Sequence, residues 1–490
     1  MSKLPAFPVI PIHPVPAQRG KPASVDDASD FFQPPADIYP RAVSGWYARW
    51  RWTFVWLTQI LFYGMPWLQW NGRQAVLFDL EAQRFYILGL VLHPQDLIFL
   101  AALLVICALA LFLFTAVAGR LWCGYSCPQT VYTEIFMWVE RKIEGDRVAR
   151  MRLDKAPWTL NKAGRKSAKQ FAWLAIGLAT GVSFVGYFTP VRELAQSIGE
   201  FSVSPWNGFW ILFYGLMTYG NAGYLREQMC KYMCPYARFQ SALIDKDSLI
   251  ITYDVARGDP RGARSRKNPA AAQGLGDCVD CNLCVQVCPT GIDIRDGLQY
   301  ECIGCAACID VCNGVMDKMS YPRGLIRYST DYAMENKLDD KATLKRVLRP
   351  RTLIYGTILT TLVVVLLTAL AMRNPIKVDV IRDRGAIARI AEGCKLENTY
   401  RLQFINATED PVRLHVDVAG LEGLSFVGER VYEVPAAANR LAAASIQLVP
   451  GATESGSHPF QFVITRVDAN GTAIEGERVM REKGVFLVPR

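Results

Sequence analysis

The chain has 490 residues, 51% of them hydrophobic, with 54 Lys or Arg against 45 Asp or Glu. That length exceeds one ordinary domain, and the composition is too apolar for a soluble protein yet too polar for a bare transporter, so the apolar residues must be gathered into runs. The net charge of +9 lies wholly in the first 372 residues, because residues 373–490 hold fifteen basic and fifteen acidic side chains; membrane orientation accounts for that excess, and no nucleic-acid partner is needed.

In chain order, residues 1–45 carry nine prolines and no apolar core, which reads as a disordered cytosolic tail and not as a cleaved leader. Four runs then reach or approach the ~20 apolar residues that cross a bilayer: Trp52 to Trp70, Leu97 to Gly119, Phe171 to Pro190 and Thr352 to Met372. A fifth, Trp206 to Tyr224, is shorter and dense in aromatics, as helix ends in the headgroup zone often are. Residues 120–169 hold eleven Lys or Arg, the loop 71–96 only Arg73 and Arg84, and 191–205 only Arg192. Basic loops stay cytoplasmic, so the N-terminus, 120–169 and 225–351 are expected inside and 373–490 outside. The division expected is a tail over 1–45, a four-span membrane region over 46–240, a ferredoxin-like insert over 241–345, a fifth span over 350–373 and an outer domain over 374–490.

A duplicated motif follows the membrane hairpins. Cys123-Gly-Tyr-Ser-Cys127-Pro128 comes after the second run, and Cys230-Lys-Tyr-Met-Cys234-Pro235 after the aromatic one. The i, i+4 spacing puts both thiols of a pair on one helical face, and the proline predicts that the helix ends there. If the hairpins pack side by side, four thiols converge at the inner membrane surface. Met229 and Met233 interleave with the second pair, and such soft donors favour Cu(I), zinc or an iron–sulfur cluster. Two readings stand: a metal site or redox dithiol, or cysteines and prolines that only shape helix ends. Cys107, inside the second run, reads as packing. Between the pairs, Tyr132, Ile135, Phe136, Val139 and Ile143 share one helical face opposite Glu140, Arg141 and Lys142. That predicts an amphipathic helix, lying on the membrane or packed on the insert.

The insert carries the strongest pattern. Cys278, Cys281, Cys284 and Cys288 run C-x-x-C-x-x-C-x-x-x-C before Pro289, and Cys302, Cys305, Cys308 and Cys312 repeat the spacing. In two-cluster bacterial ferredoxins each run gives three thiolates to one [4Fe–4S] cube and its fourth to the other. Cluster one would take Cys278, Cys281, Cys284 and Cys312; cluster two would take Cys302, Cys305, Cys308 and Cys288. Zinc sites use paired ligands instead, and no C-x-x-C precedes a histidine as haem attachment requires. Asn313 stands where the first run has Pro289, which affects a turn and removes no ligand. His13, His93, His415 and His458 lie outside the apolar runs, so paired-histidine haem within the membrane is not expected, and no P-loop or dinucleotide fingerprint occurs. Electrons must come from another protein or a diffusing reductant.

Beyond the last run, Tyr400, Leu402 and Phe404, then Val412, Leu414, Val416 and Val418, alternate with polar residues, and Ser445–Val449 and Phe460–Ile464 follow in kind. Gly and Pro between them predict an immunoglobulin-like β-sandwich. His415, His458 and Cys394 receive no role, and Asn406-Ala407-Thr408 is read as a chance match to a glycan sequon.

The stretches from Trp122 to Thr130, from Cys230 to Gln240 and from Gly276 to Tyr328 resemble the cytochrome c oxidase accessory proteins of the CcoG, FixG and RdxA family. The resemblance extends over nearly the whole chain, five spans and outer sandwich included. It implies a multi-pass protein of the bacterial inner membrane, with two [4Fe–4S] clusters on the eight ferredoxin cysteines. It further implies a part in assembling a cbb3-type oxidase by reducing Cu(II) to Cu(I), with oxidase subunits or copper-delivery proteins as partners. Cys123, Cys127, Cys230 and Cys234 become the candidate catalytic copper site or redox relay. Alternatives are a membrane polyferredoxin conduit to another reductase and a redox-sensing assembly scaffold without turnover.

Overall fold

The computed structural model describes residues 38–266, 274–383, 388–449, 451–468, 471–474 and 479–489. Five long helices join two poles: α1 (Trp46–Gly64), α2 (Leu97–Ala118), α3 (Leu160–Val185), α4 (Pro205–Gly220) and α5 (Pro350–Ala371). Among the described residues three helices, Pro94–Ala118, Leu160–Val185 and Pro350–Ala371, are long and apolar enough to cross a membrane. α1 and α4, at 19 and 16 residues, fall short of that in apolarity or length. Except for α2, the helices begin earlier than the apolar runs. α3 starts at Leu160 because the Thr159 side chain caps it, accepting from the Lys162 N–H. Its first turns carry Lys162, Arg165, Lys166 and Lys169, which a hydropathy reading assigns to the loop.

α3 and α4 approach backbone to backbone. A methyl group on Gly181 would lie 2.2 Å from the Ile211 carbonyl oxygen, and one on Gly177 would lie 2.6 Å from that of Gly215. The spacing Gly177-x-x-x-Gly181 is the small-residue stripe that lets membrane helices meet closely. α2 and α5 form the second close pair.

One pole holds the ferredoxin-like unit, whose two strands, Ile250–Tyr253 and Ile326–Ser329, pair antiparallel. Asp310, on the helix Ala307–Met319, accepts from the backbone N–H groups of Tyr47 (3.2 Å) and Ala48 (2.7 Å), capping the start of α1. A disordered tail over 1–45 does not hold at its end. Arg41 donates its backbone N–H to Gln286 O at 2.8 Å, the Tyr39 hydroxyl donates to Asp154 at 2.8 Å, and Val43 packs beside Val287 and Ile303. Residues 1–37 of that expectation lie outside the described residues.

The other pole is a β-sandwich. One antiparallel sheet runs Leu424–Val427, Asn439–Leu448, Leu396–Asn406, Ile376–Arg382, with Arg389–Ile390 also on the third strand; the other runs Val431–Val434, Val412–Ala419, Gly456–Val467, Met480–Val488. The alternation expected from the sequence fills the core with Tyr400, Leu402, Phe404, Leu414, Val416, Ile446, Phe462 and Phe486. Asn406 is fully buried: its amide donates to the carbonyls of Asp410 (2.8 Å) and Pro435 (2.9 Å), so the sequon is a turn brace closed to glycan. The short meander Val76–Asp79, Arg84–Ile87, Leu90–Leu92 packs on this sandwich through Leu77, Tyr86 and Val91 against Ala407 and Ala437. Asp96, buried, binds Arg373 at 2.9 Å and Lys377 at 2.6 Å.

Candidate metal centres

The two cysteine runs fold alike. Asp280 (φ 49°) and Asn282 (φ 54°) flank Cys281, and Gly304 (φ 68°) and Ala306 (φ 59°) flank Cys305, all left-handed. Asp, Asn and Gly take that conformation readily, whereas Ala306 is held in it by complete burial. Each curl turns three thiols inward and then starts a helix, Leu283–Gln286 in the first run and Ala307–Met319 in the second.

Two small cavities result, lined by the eight cysteines. Cys278, Cys281, Cys284 and Cys312 line the first; Cys288, Cys302, Cys305 and Cys308 line the second, with Cys284 at its rim. The remaining walls are mainly aliphatic. Burial pushes the Cys284 thiol up to about 11 and Cys302 up to about 12, and raises Cys305 and Cys308. Protonated thiols packed this way gain little, whereas iron displaces the protons and satisfies the sulfurs. The donor set fits two cubanes.

Polar groups brace the loops. Arg295, on the wall of the first cavity, donates to Asp280 at 2.6 Å and doubly to Asp293, placing a cation beside Cys284. The Tyr328 hydroxyl donates to Gly304 O at 2.6 Å. Asn313 accepts from the Gly324 N–H at 3.0 Å and lines neither cavity, in keeping with a turn role. Of the eight cysteines only Cys281 is exposed.

The membrane-end cysteines are shaped differently from the spacing rule. Cys123 lies in a short helix, Leu121–Tyr125, and Cys127 caps the next, Pro128–Glu144. Cys230 lies in a π-helical turn, Met229–Met233, and Cys234 caps Pro235–Leu243. Each proline therefore opens a helix, since its missing N–H is unneeded at the first position. Met233 is 59% exposed, and Cys107 is exposed on α2 instead of packed. The four thiols lie within electrostatic reach of one another.

This group abuts the second ferredoxin loop. Cys123 and Cys230 pack against Ile303, Cys305 and Ala307. A methyl on Gly124 would sit 2.8 Å from Gly304 O and 2.9 Å from the Cys305 nitrogen. Fully buried Gln240 donates its amide to Cys123 Sγ at 3.3 Å. Buried Arg120 bridges the two loops, donating to the carbonyls of Tyr300 and Ala237. Among the described residues, no three His, Cys, Asp or Glu side chains close to single-ion spacing; cubane ligands stand further apart, each on its own iron.

The amphipathic helix Pro128–Glu144 packs its apolar face against α3, with Phe136 stacked on Trp173 at 5.2 Å. Glu140, expected on the solvent face, is buried among Arg150 (2.8 Å), Arg226 (2.8 Å) and Lys169 (3.6 Å). Burial alone would raise its carboxyl, but these cations hold it below the usual range. Asp310, Arg120, Gln240 and Glu140 carry no local sequence signal, because their partners lie 86 to 262 residues away or within another element.

Residues 225–331 match the family described as a 4Fe-4S dicluster domain, and residues 100–145 that described as a 4Fe-4S binding domain. Residues 366–489 match the IG-like fold at the C-terminus of FixG, putative oxidoreductase. With the apolar helices, these define a membrane-associated iron–sulfur electron-transfer protein. The chain is 40% identical over 415 residues to Nitrogen fixation protein FixG of Rhizobium meliloti (strain 1021), covering 78% of this chain and 79% of that one. It is 37% identical over 470 residues to Protein RdxA of Cereibacter sphaeroides, covering 93% and 98%, and 37% identical to Protein RdxB of the same organism, covering 84% and 89%. The chain belongs to the FixG/RdxA family. A crystal structure of a FixG-related protein from Vibrio parahaemolyticus is 25% identical over 24% of this chain and 97% of that one, with a TM-score of 0.21.

Proposed function

We propose that the protein passes single electrons across the ferredoxin unit to the membrane and reduces Cu(II) to Cu(I) for insertion into a cbb3-type cytochrome c oxidase. The observation that carries this reading is the continuous file of thiols. It begins at exposed Cys281, passes through two buried four-cysteine cavities, and ends where Gly124 meets Cys305 beside Cys123 and Cys230. Each [4Fe–4S] cluster, when bound, supplies one-electron chemistry within roughly −700 to +450 mV. Cys278, Cys281, Cys284 and Cys312 would hold one, and Cys288, Cys302, Cys305 and Cys308 the other. Arg295 sets charge at the first site, and aliphatic walls exclude water from both. Cys123, Cys127, Cys230 and Cys234 form the exit, as copper site or redox relay. One Cu(II) accepts one electron and leaves as Cu(I), the electron being resupplied by a reduced carrier protein or a diffusible donor.

Five spans are proposed, because the chain changes pole at each of the five long helices. The basic segments 120–159 and 225–349 share the pole of the ferredoxin unit, which supports placing it on the cytosolic side of a bacterial inner membrane and the sandwich in the periplasm. The test is anaerobic turnover: dithionite-reduced protein, freed of excess reductant, is given Cu(II), a cuprous chelator and a renewable low-potential donor. Many cuprous ions per chain above the donor-only rate are expected; no more than one per loaded electron would overturn catalytic copper reduction.

A further inference from the structure

We propose that Cys123, Cys127, Cys230 and Cys234 together hold a third iron–sulfur cubane, in contact with the loop of the second ferredoxin site. This deepens the electron-transfer reading and rests on it, by giving the relay position a resident group. The match of residues 100–145 to a 4Fe-4S binding domain covers only the first pair; the fold supplies the other two thiols from the repeated motif.

Three features of the protein point to this ligand. The first is the paired geometry. Cys127 and Cys234 each stand at the N-cap of a helix of nine or more residues that opens on proline, so each residue sits at the positive end of a helix dipole. Cys123 and Cys230 precede them on separate elements, α4 leading into the second pair and α2 into the first. The four thiols are thus carried at four places in the chain, the helix Leu121–Tyr125, the start of Pro128–Glu144, the turn Met229–Met233 and the start of Pro235–Leu243, and not on one helix face.

The second is the charge left over around them. Arg120 is 8% exposed and bonds only carbonyl oxygens, with no carboxylate within ion-pair distance among the described residues. A buried cation persists when an anion answers it, and a thiolate-ligated cube is such an anion. The same guanidinium neighbours Cys302, so it serves both sites. The third is Gln240, fully buried, whose side-chain amide sits on the Cys123 sulfur, Nε2 donating to it at 3.3 Å and Oε1 lying 3.5 Å away. An N–H directed at sulfur is a device that tunes cluster potential.

A single copper ion is the poorer occupant. It would draw its ligands to ~2.3 Å, as a tetrathiolate metal site does, yet among the described residues these thiols do not close to single-ion spacing, and the neighbouring Met233 is exposed.

Iron and labile sulfide are to be counted on the full chain, purified and reconstituted anaerobically in detergent, beside a Cys123→Ser/Cys230→Ser double variant. Three cubanes give about twelve irons, and the variant should fall by about four while the ferredoxin EPR signals persist. An iron count unchanged in the double variant overturns the proposal, including the case in which only bound copper is lost. The wild-type total separates the two readings: a fall of four from eight would uphold this cluster and remove one ferredoxin site. Gln240→Leu guards against misfolding. It should keep all the iron and shift one of three midpoint potentials negative; shifts in none, or in all three alike, count against the site.

Discussion

Taking the charge from position 140 would strand three cations in one buried pocket. Arg150, Arg226 and Lys169 all converge on the Glu140 carboxylate, whose side chain is 7% exposed. Glu140→Gln is therefore expected to lower stability by about 3–5 kcal/mol, as breaking one side of a buried ion pair does, read as a drop in the thermal midpoint of the detergent-solubilised protein. The pH sign follows from the depressed carboxyl. The network's contribution is complete above the ordinary Glu value of about 4.3 and is lost as pH falls through the lower folded value, so wild-type stability should be flat in this respect from pH 5 to 8. The gathering of the eight ferredoxin cysteines around two cavities was legible from spacing because the geometry is local: each curl spans a few residues. Glu140 was not, since a helical wheel assigns a charged residue to solvent and cannot see a helix, α3, that brings Lys169 from 29 positions on.

At the scale of elements, α3 and α4 are joined by absence of side chains. Gly181→Leu forces a branched side chain into the Ile211 carbonyl, 2.2 Å from where its first carbon would stand. It should part the helices and displace Cys230 from Cys123. Gly164, on the same helix with nothing within 4 Å, is the matched control. Gly164→Ala should be neutral or stabilising by up to ~1 kcal/mol. Thermal melts of the two variants should move in opposite directions or leave only Gly181→Leu affected. The apolar runs gave these helices, but not their ends. A cap by Thr159 or by remote Asp310 decides where a helix begins, and hydropathy registers neither.

Across the whole molecule, the two poles are held by different means. The ferredoxin pole is knitted into the helices by Asp310, by Gly124 against Cys305, and by Asp245 with Arg349 and Arg351 at 2.7 Å each. The sandwich is tied through Asp96 to Arg373 and Lys377, and through Arg73 to Glu409 at 2.5 Å. Asp96→Ala should loosen the sandwich without touching the iron. Limited proteolysis should then cut faster near residues 373–375 while the cluster spectrum stays at wild-type intensity; a lost spectrum would show that the poles are not independent. The sandwich was readable from alternation, its docking was not, because Asp96 reads as an ordinary helix-flanking residue.

The helix Ala307–Met319 bears Cys308 and Cys312, one from each cavity, and between them the carboxylate that caps α1. One thirteen-residue segment thus supplies a thiol to each cavity and the carboxylate that seats α1, so a substitution that tilts it should disturb iron binding and the first long helix together.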